Sequence, residues 1–336
     1  MPELRKDPFT DRWVIIATDR AKRPSDFRFS ASEKGKEECV FCGGHENETP
    51  PEVFAIRTAG EPNAPGWDVR VFPNMYPALR TEGDIDGGNV GMCDMMNGIG
   101  AHEVIVETPD HSKELVDLDV VDIKKVLVAY RERINDLGRD VRFKYVLVFK
   151  NHGKDAGASL QHSHSQLIAT PITPKRVKEE LQVAREYHES RGRCVFCDYI
   201  EQETRLFGDR LIREDENFVA LAPFASSFPF EVWILPKRHS PYFVSMSDEE
   251  MEGFAVMLKD VLNRIRVVLN DPPFNYVLHI APFRRPKADC CETREEYHWH
   301  LEITPRMTKL AGFELGSGFN INPTPPEIAA EMLRGA

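Results

Sequence analysis

Two short signatures recur in the same order along this chain and constrain it more than any other feature. Cys39-Val40-Phe41-Cys42 is followed far downstream by His162-Ser163-His164-Ser165-Gln166. Cys194-Val195-Phe196-Cys197 is followed, at a similar remove, by His298-Trp299-His300-Leu301-Glu302. A Cys-x-x-Cys turn presents two thiolates to one tetrahedral metal, and histidine is the usual partner ligand. One such match is within reach of chance; two in the same order imply a duplicated metal-bearing unit. The first copy ends in Gln166 and the second in Glu302, so the halves have diverged in duty.

A chain of 336 residues suits one large domain or two ordinary ones, and buries enough core that it does not need a metal merely to fold. No apolar run approaches the ~20 residues that span a bilayer, and the N-terminus lacks the apolar core of a signal peptide. The expectation is a cytoplasmic protein with no membrane partner. A net charge of −11 disfavours nucleic acid as the main partner, whereas small phosphorylated ligands need only a few local cations. Of the seven cysteines, four lie in the two pairs and Cys93, Cys290 and Cys291 are left over. That odd count reads as metal ligation plus free thiols rather than a disulfide frame.

Strands are expected over residues 12–17, 69–72, 103–108, 145–149 and 162–169, with a basic turn at 19–24 and a loop over 31–66. Apolar residues at helical spacing predict a helix over 119–137, with Asp119 or Asp122 at its start, and another over 175–191. The second half repeats the order: strands over 218–222 and 230–235, a turn at 236–239, then a long helix opened by the capping pair Ser247 and Glu250. Strands at 276–279 and 298–303 and a helix over 325–334 complete it. Strands, one long helix, then strands, twice over, predict an α+β fold with mainly antiparallel pairing and flanking helices. The expected division is 1–190 and 191–336.

Side chains alternate across a strand, so His162, His164 and Gln166 share one face, with Ser163 and Ser165 on the other. Two imidazoles and an amide make poor core. The loop before them, residues 151–159, holds Gly153, Lys154, Gly157 and Ser159. Its glycines permit close backbone approach, and its N–H groups can cradle a phosphate. The plain alternatives are an exposed strand and an ordinary turn.

Together with Arg20-Ala21-Lys22-Arg23-Pro24, Pro109-Asp110-His111-Ser112-Lys113 and Gly312-Phe313-Glu314, these residues resemble galactose-1-phosphate uridylyltransferase, the transferase branch of the histidine-triad superfamily. The likeness runs in order over nearly the whole chain. The His-Ser-His-Ser-Gln spelling, the second cysteine pair and residues 312–323 also look like the plant ADP-glucose phosphorylases. The resemblance implies two fused histidine-triad-like halves, the first one catalytic, in a homodimer whose active site is shared between subunits. It implies that His164 attacks the α-phosphorus of a nucleotide sugar, releasing a sugar 1-phosphate and holding the nucleotide as a phosphohistidine. Gln166 would then stabilise the transferring phosphoryl group. It places Arg20, Arg23, Ser159 and Gln166 on phosphates, and Asn74 and Asn151 near the nucleotide. Lys309, Phe313 and Glu314 would reach the sugar from the neighbouring subunit.

Spacing alone leaves His102 and His111 both open as partners of Cys39, Cys42 and His162; the resemblance selects His111. The resulting Cys39, Cys42, His111 and His162 set is a closed structural zinc site. Symmetry gives Cys194, Cys197, His239 and His298 for a second zinc. A different arrangement in the family would use Glu180, His279, His298 and His300. No Gly/Ser cradle precedes His300; Glu292, Glu295 and Glu296 stand there instead, so the second half reads as non-catalytic. The expected reaction is UDP-glucose with galactose 1-phosphate, and the enzyme alternative is ADP-glucose phosphorolysis. An alternative of another class is a zinc-stabilised nucleotide- or nucleic-acid-binding module without turnover.

Overall fold

The β-branched and aromatic runs that read as strands pair into one large sheet. A computed structural model describes residues 2–18, 39–283 and 296–336. In chain order its first half holds β1 (Glu3–Lys6), β2 (Trp13–Ile16), β3 (Phe54–Arg57), β4 (Trp67–Pro73), β5 (Gly87–Val90), β6 (Cys93–Met96), β7 (Ala101–Val106), α1 (Val120–Leu137), β8 (Tyr145–His152) and β9 (His164–Thr170). Then come α2 (Lys175–Arg191), α3 (Val195–Gln202), β10 (Leu211–Glu214), β11 (Phe218–Leu221), β12 (Val232–Pro236), α4 (Asp248–Leu269), β13 (Phe274–His279), β14 (His300–Pro305), α5 (Gly312–Ser317), β15 (Asn320–Asn322) and α6 (Pro326–Arg334).

Ten strands form the sheet in the order β10-β11-β12-β14-β13-β8-β9-β7-β4-β3. Every neighbouring pair is antiparallel. Outward from the central β8–β13 pair, the order is the same in both directions. The duplication seen in the sequence is therefore a duplication of topology. The two copies join through one ladder, in which Phe274 faces His152 and Leu278 faces Val148.

The long helices cover one face. In α1, Ile123, Val126, Leu127, Tyr130, Ile134 and Leu137 recur three or four apart and are buried. In α4, Phe254, Leu258, Leu262 and Ile265 do the same. Asp119 is the N-cap of α1, and Ser247 and Glu250 make both bonds of a capping box on α4. Lys124–Glu252 and Arg131–Asp248 ion pairs tie the two helices together. At the N-terminus β1 and β2 pair with each other, and β15 adds parallel to β2. The Phe9 ring between them stacks on Phe196 at 4.5 Å.

Several details differ from expectation. Strands β9 and β14 begin at the second histidine of each pair, because the chain leaves the ladder where the first histidine turns toward the cysteines. Cys194 caps α3, a helix that the cysteine turn concealed. The hairpin β5–β6, with Cys93, is exposed on all sides, so it carries no burial alternation to read. The basic turn with Arg20 and Arg23, and also Cys290, Cys291, Glu292 and Glu295, lie outside the described residues.

Candidate active site and metal centres

The first cysteine turn closes on itself. Cys42 N donates to Cys39 O (2.9 Å), and Phe41 N donates to Cys39 Sγ (3.5 Å), which brings the two sulfurs together. Phe41 packs with Trp67, Phe72, Val104 and Val106, pinning the turn to the sheet face opposite the long helices. His162 Nδ1 lies 3.7 Å from Cys39 Sγ and 3.6 Å from Cys42 Sγ, and His111 Nδ1 lies 3.6 Å from Cys42 Sγ. Zinc–sulfur and zinc–nitrogen bonds at tetrahedral angles give sulfur–nitrogen edges of about 3.6 Å, so this set fits one tetrahedral cation. His162 Nε2 donates to Thr108 O (2.7 Å), which leaves Nδ1 with the lone pair a metal needs. His102 stands elsewhere, against Gln166.

Two residues beyond His162, the His164 ring lies on the same face, buried with 5% exposure. Its Nδ1–H donates to His162 O (2.7 Å), so the in-plane lone pair is on Nε2. Among the described residues nothing bonds that nitrogen. Burial pushes the His164 pKa down against the opposing pull of the backbone bond, which favours the neutral, nucleophilic ring. Phe41 abuts the ring with centroids 5.3 Å apart. On the reverse face, Lys150 Nζ donates to Glu107 Oε2 (2.6 Å), Ser163 Oγ (3.0 Å) and His164 O (3.1 Å). Tyr130 OH donates to Ser165 Oγ (2.7 Å) beside them.

The loop after β8 turns at Gly153 and Gly157, with φ of 80° and 88°. A Cβ at Gly153 would also meet Pro273 at 3.0 Å, so glycine is required there twice over. Asn275 Nδ2 donates to Asn151 Oδ1 (2.7 Å) and to Ala156 O (2.8 Å), bracing the loop from the second half. Ser159 and Lys154 are exposed in this loop. Asn74 begins a segment that packs on His102, and its Oδ1 accepts from Tyr76 N at 2.9 Å. Lys309 and Phe313 are exposed, and Glu314 accepts from Ala311 N (3.0 Å) at the start of α5. No hydrogen bond or ion pair among the described residues joins these three to β9.

In the second half, Cys197 Sγ lies 3.4 Å from His239 Nδ1 and 3.6 Å from His298 Nδ1. Cys194, Cys197, His239 and His298 gather within 4.8 Å, as the first set does. His298 Nε2 donates to Pro236 O (2.8 Å), repeating the tautomer of His162. The alternative set of Glu180, His279, His298 and His300 is not the one assembled. His298 turns to the cysteines, and Glu302 takes its place beside Glu180, His279 and His300. Arg176 reaches in and donates to Glu302 Oε1 (2.7 Å). The His300 ring is fully buried between Trp233 and His279, each with its centroid 4.9 Å away. The His164 ring, by contrast, keeps 5% exposure and has Phe41 as its aromatic neighbour. Sequence reasoning missed the Glu107–Lys150 pair and the place of His102. Only strand register reveals either of them.

Two halves of like topology in one antiparallel sheet, each carrying a cysteine–histidine cluster and a second histidine on the following strand, define the class: a duplicated α+β protein. The chain belongs to the galactose-1-phosphate uridyl transferase family of nucleotidyltransferases: residues 1–174 match its N-terminal domain and residues 180–332 its C-terminal domain. It is 40% identical to an ADP-glucose phosphorylase of Arabidopsis thaliana over 99% of this chain and 92% of that protein. It is 32% identical to a galactose-1-phosphate uridylyltransferase of Thermotoga maritima over 99% of this chain and 98% of that one. The crystal structure of an Arabidopsis thaliana ADP-glucose phosphorylase with bound ADP-glucose superimposes with a TM-score of 0.84 at 37% identity, covering 100% of this chain and 99% of that one. No helix among the described residues is long and apolar enough to cross a membrane.

Proposed function

We propose that this protein moves a nucleoside monophosphate from a nucleotide sugar to a phosphate acceptor through a covalent nucleotidyl-histidine at His164. The observation that carries the reading is the tautomer: Nδ1–H is committed to His162 O, so Nε2 is the nucleophile. Nε2 attacks the α-phosphorus, an N–P bond forms, and the bond to the bridging oxygen breaks as the sugar 1-phosphate leaves. An acceptor phosphate oxygen then attacks the same phosphorus and the N–P bond breaks. A sugar phosphate leaves readily without a proton, so Gln166, which donates hydrogen bonds and is no acid, suffices at that place.

Similarity to the Arabidopsis enzyme supports ADP-glucose as donor and inorganic phosphate as acceptor, giving ADP and glucose 1-phosphate. The exchange between UDP-glucose and galactose 1-phosphate is the second reading, supported by the Thermotoga relative. Asn74, Asn151 and Ser159 serve the nucleotide and phosphates in this proposal, together with Arg20 and Arg23. Lys309, Phe313 and Glu314, displayed on an exposed segment, serve the sugar site of a second subunit. Cys39, Cys42, His111 and His162 would hold one Zn²⁺, and Cys194, Cys197, His239 and His298 another, each as a closed structural anchor. The cytoplasm is the proposed setting.

Intact-mass measurement after exposure to ADP-glucose and UDP-glucose together tests this reading. An adenylyl increment that is absent from His164→Ala is the expected result, and a uridylyl increment would select the second reading. Full turnover by His164→Ala would overturn the mechanism.

A further inference from the structure

The proposed transfer step needs the NH₂ end of Gln166 to face the phosphoryl oxygens, and a free amide has no reason to choose that end. His102 lies on β7, the strand beside β9. Gln166 pairs with Val104, and His102 with Ile168, so His102 and Gln166 are diagonal neighbours on one face. Ala78 N donates to His102 Nδ1 (3.1 Å). A backbone N–H can only donate, so the ring carries its own proton on Nε2. That nitrogen lies 2.8 Å from the Gln166 amide oxygen and 3.3 Å from Asn74 Nδ2. The Asn74 orientation is fixed in turn, because its oxygen accepts from Tyr76 N. Its NH₂ cannot accept the imidazole proton, which leaves Gln166 Oε1 as the acceptor.

We infer that His102 is the positioning residue of the transfer site. It holds the oxygen of Gln166 and so turns the amide NH₂ toward the transferring phosphoryl group. The chain of bonds begins in residues 74–78 and ends at Gln166. The segment proposed to lie along the nucleotide therefore sets the donor geometry at phosphorus. This inference rests on the transfer reading above.

The test is a double-mutant cycle on the rate of nucleotidyl-enzyme formation in a single turnover, with metal content and melting temperature as fold controls. Removing one placed donor costs on the order of 10²-fold, so Gln166→Ala is expected to fall about that far. His102→Leu should lose about 10-fold in the maximal rate, with little change in half-saturating substrate. His102→Gln can place an N–H where Nε2 stood and should recover most of the rate. His102→Glu presents an acceptor, captures the NH₂ end, and should be slower than His102→Leu. In the Gln166→Ala background, His102→Leu should cost nothing further. Additive losses, or His102→Glu as fast as His102→Gln, would overturn the inference while a labelled wild-type enzyme leaves the transfer reading standing. A wild-type enzyme that never carries the label removes both.

Discussion

Replacing Lys150 tests whether β9, the strand of the proposed nucleophile, is held from behind by a buried ion pair. The Lys150 and Glu107 side chains are 2% and 0% exposed, and their charges meet at 2.6 Å. Lys150→Met leaves the Glu107 carboxylate buried with Ser163 as its one close donor, at 2.6 Å, because Tyr130 OH is 3.5 Å away. Breaking one side of a buried pair costs ~3–5 kcal/mol. Losing the bond to His164 O adds about 1 kcal/mol. The double variant Lys150→Met/Glu107→Gln removes both charges, and the new amide oxygen still accepts from Ser163. Its expected cost is ~1–2 kcal/mol, since a neutral replacement of a buried pair is close to balanced. Urea unfolding at fixed metal content should place the double variant at least ~2 kcal/mol above the single one. Single-turnover rates should be lower than wild type in both, because both lack the ammonium that grips His164 O. A double variant no more stable than the single, or a single variant within ~1 kcal/mol of wild type, would refute the reasoning.

Metal content by mass spectrometry should drop by one equivalent in His111→Ala and by one in His239→Ala, and stay unchanged in His102→Ala; two full equivalents in either of the first pair would dismiss that ligand. His152 gives a pH test. Burial works against its charged ring, but Asp271 and Glu114 outweigh it and push its pKa from 6.5 up to about 9. A raised folded value means that the stabilisation is complete below pH ~6.5 and is lost as pH rises through about 9. Asp271 is 62% exposed, so the contribution is discounted to ~1–2 kcal/mol. His152→Gln should flatten the fall in urea midpoint across that window; an unchanged slope would sink the assignment.

The sequence carried most of the architecture, because its strongest signals are local. The cysteine turns, the alternation of β9, the helical stripe of α1 and the capping box on α4 each lie within a few residues. For the candidate first metal set, spacing left His102 and His111 both open, and only the family resemblance carried by residues 109–113 selected His111. What stayed hidden depends on register. The diagonal contact of His102 with Gln166 and the burial of Glu107 against Lys150 are set by which strands pair and how far they slide. No single segment encodes either. The choice between two ligand sets in the second half was open for the same reason: His298 belongs to both, and only its turn toward Cys197 separates them. The hairpin β5–β6 escaped because an exposed strand has no burial pattern.

The ladder between β8 and β13 has a consequence for how such a molecule can change. Two halves that share a sheet within a single polypeptide meet at any dilution, so neither depends on finding the other. Packing can then enclose a ring in one half, as it does His300 between Trp233 and His279, without parting that half from the other.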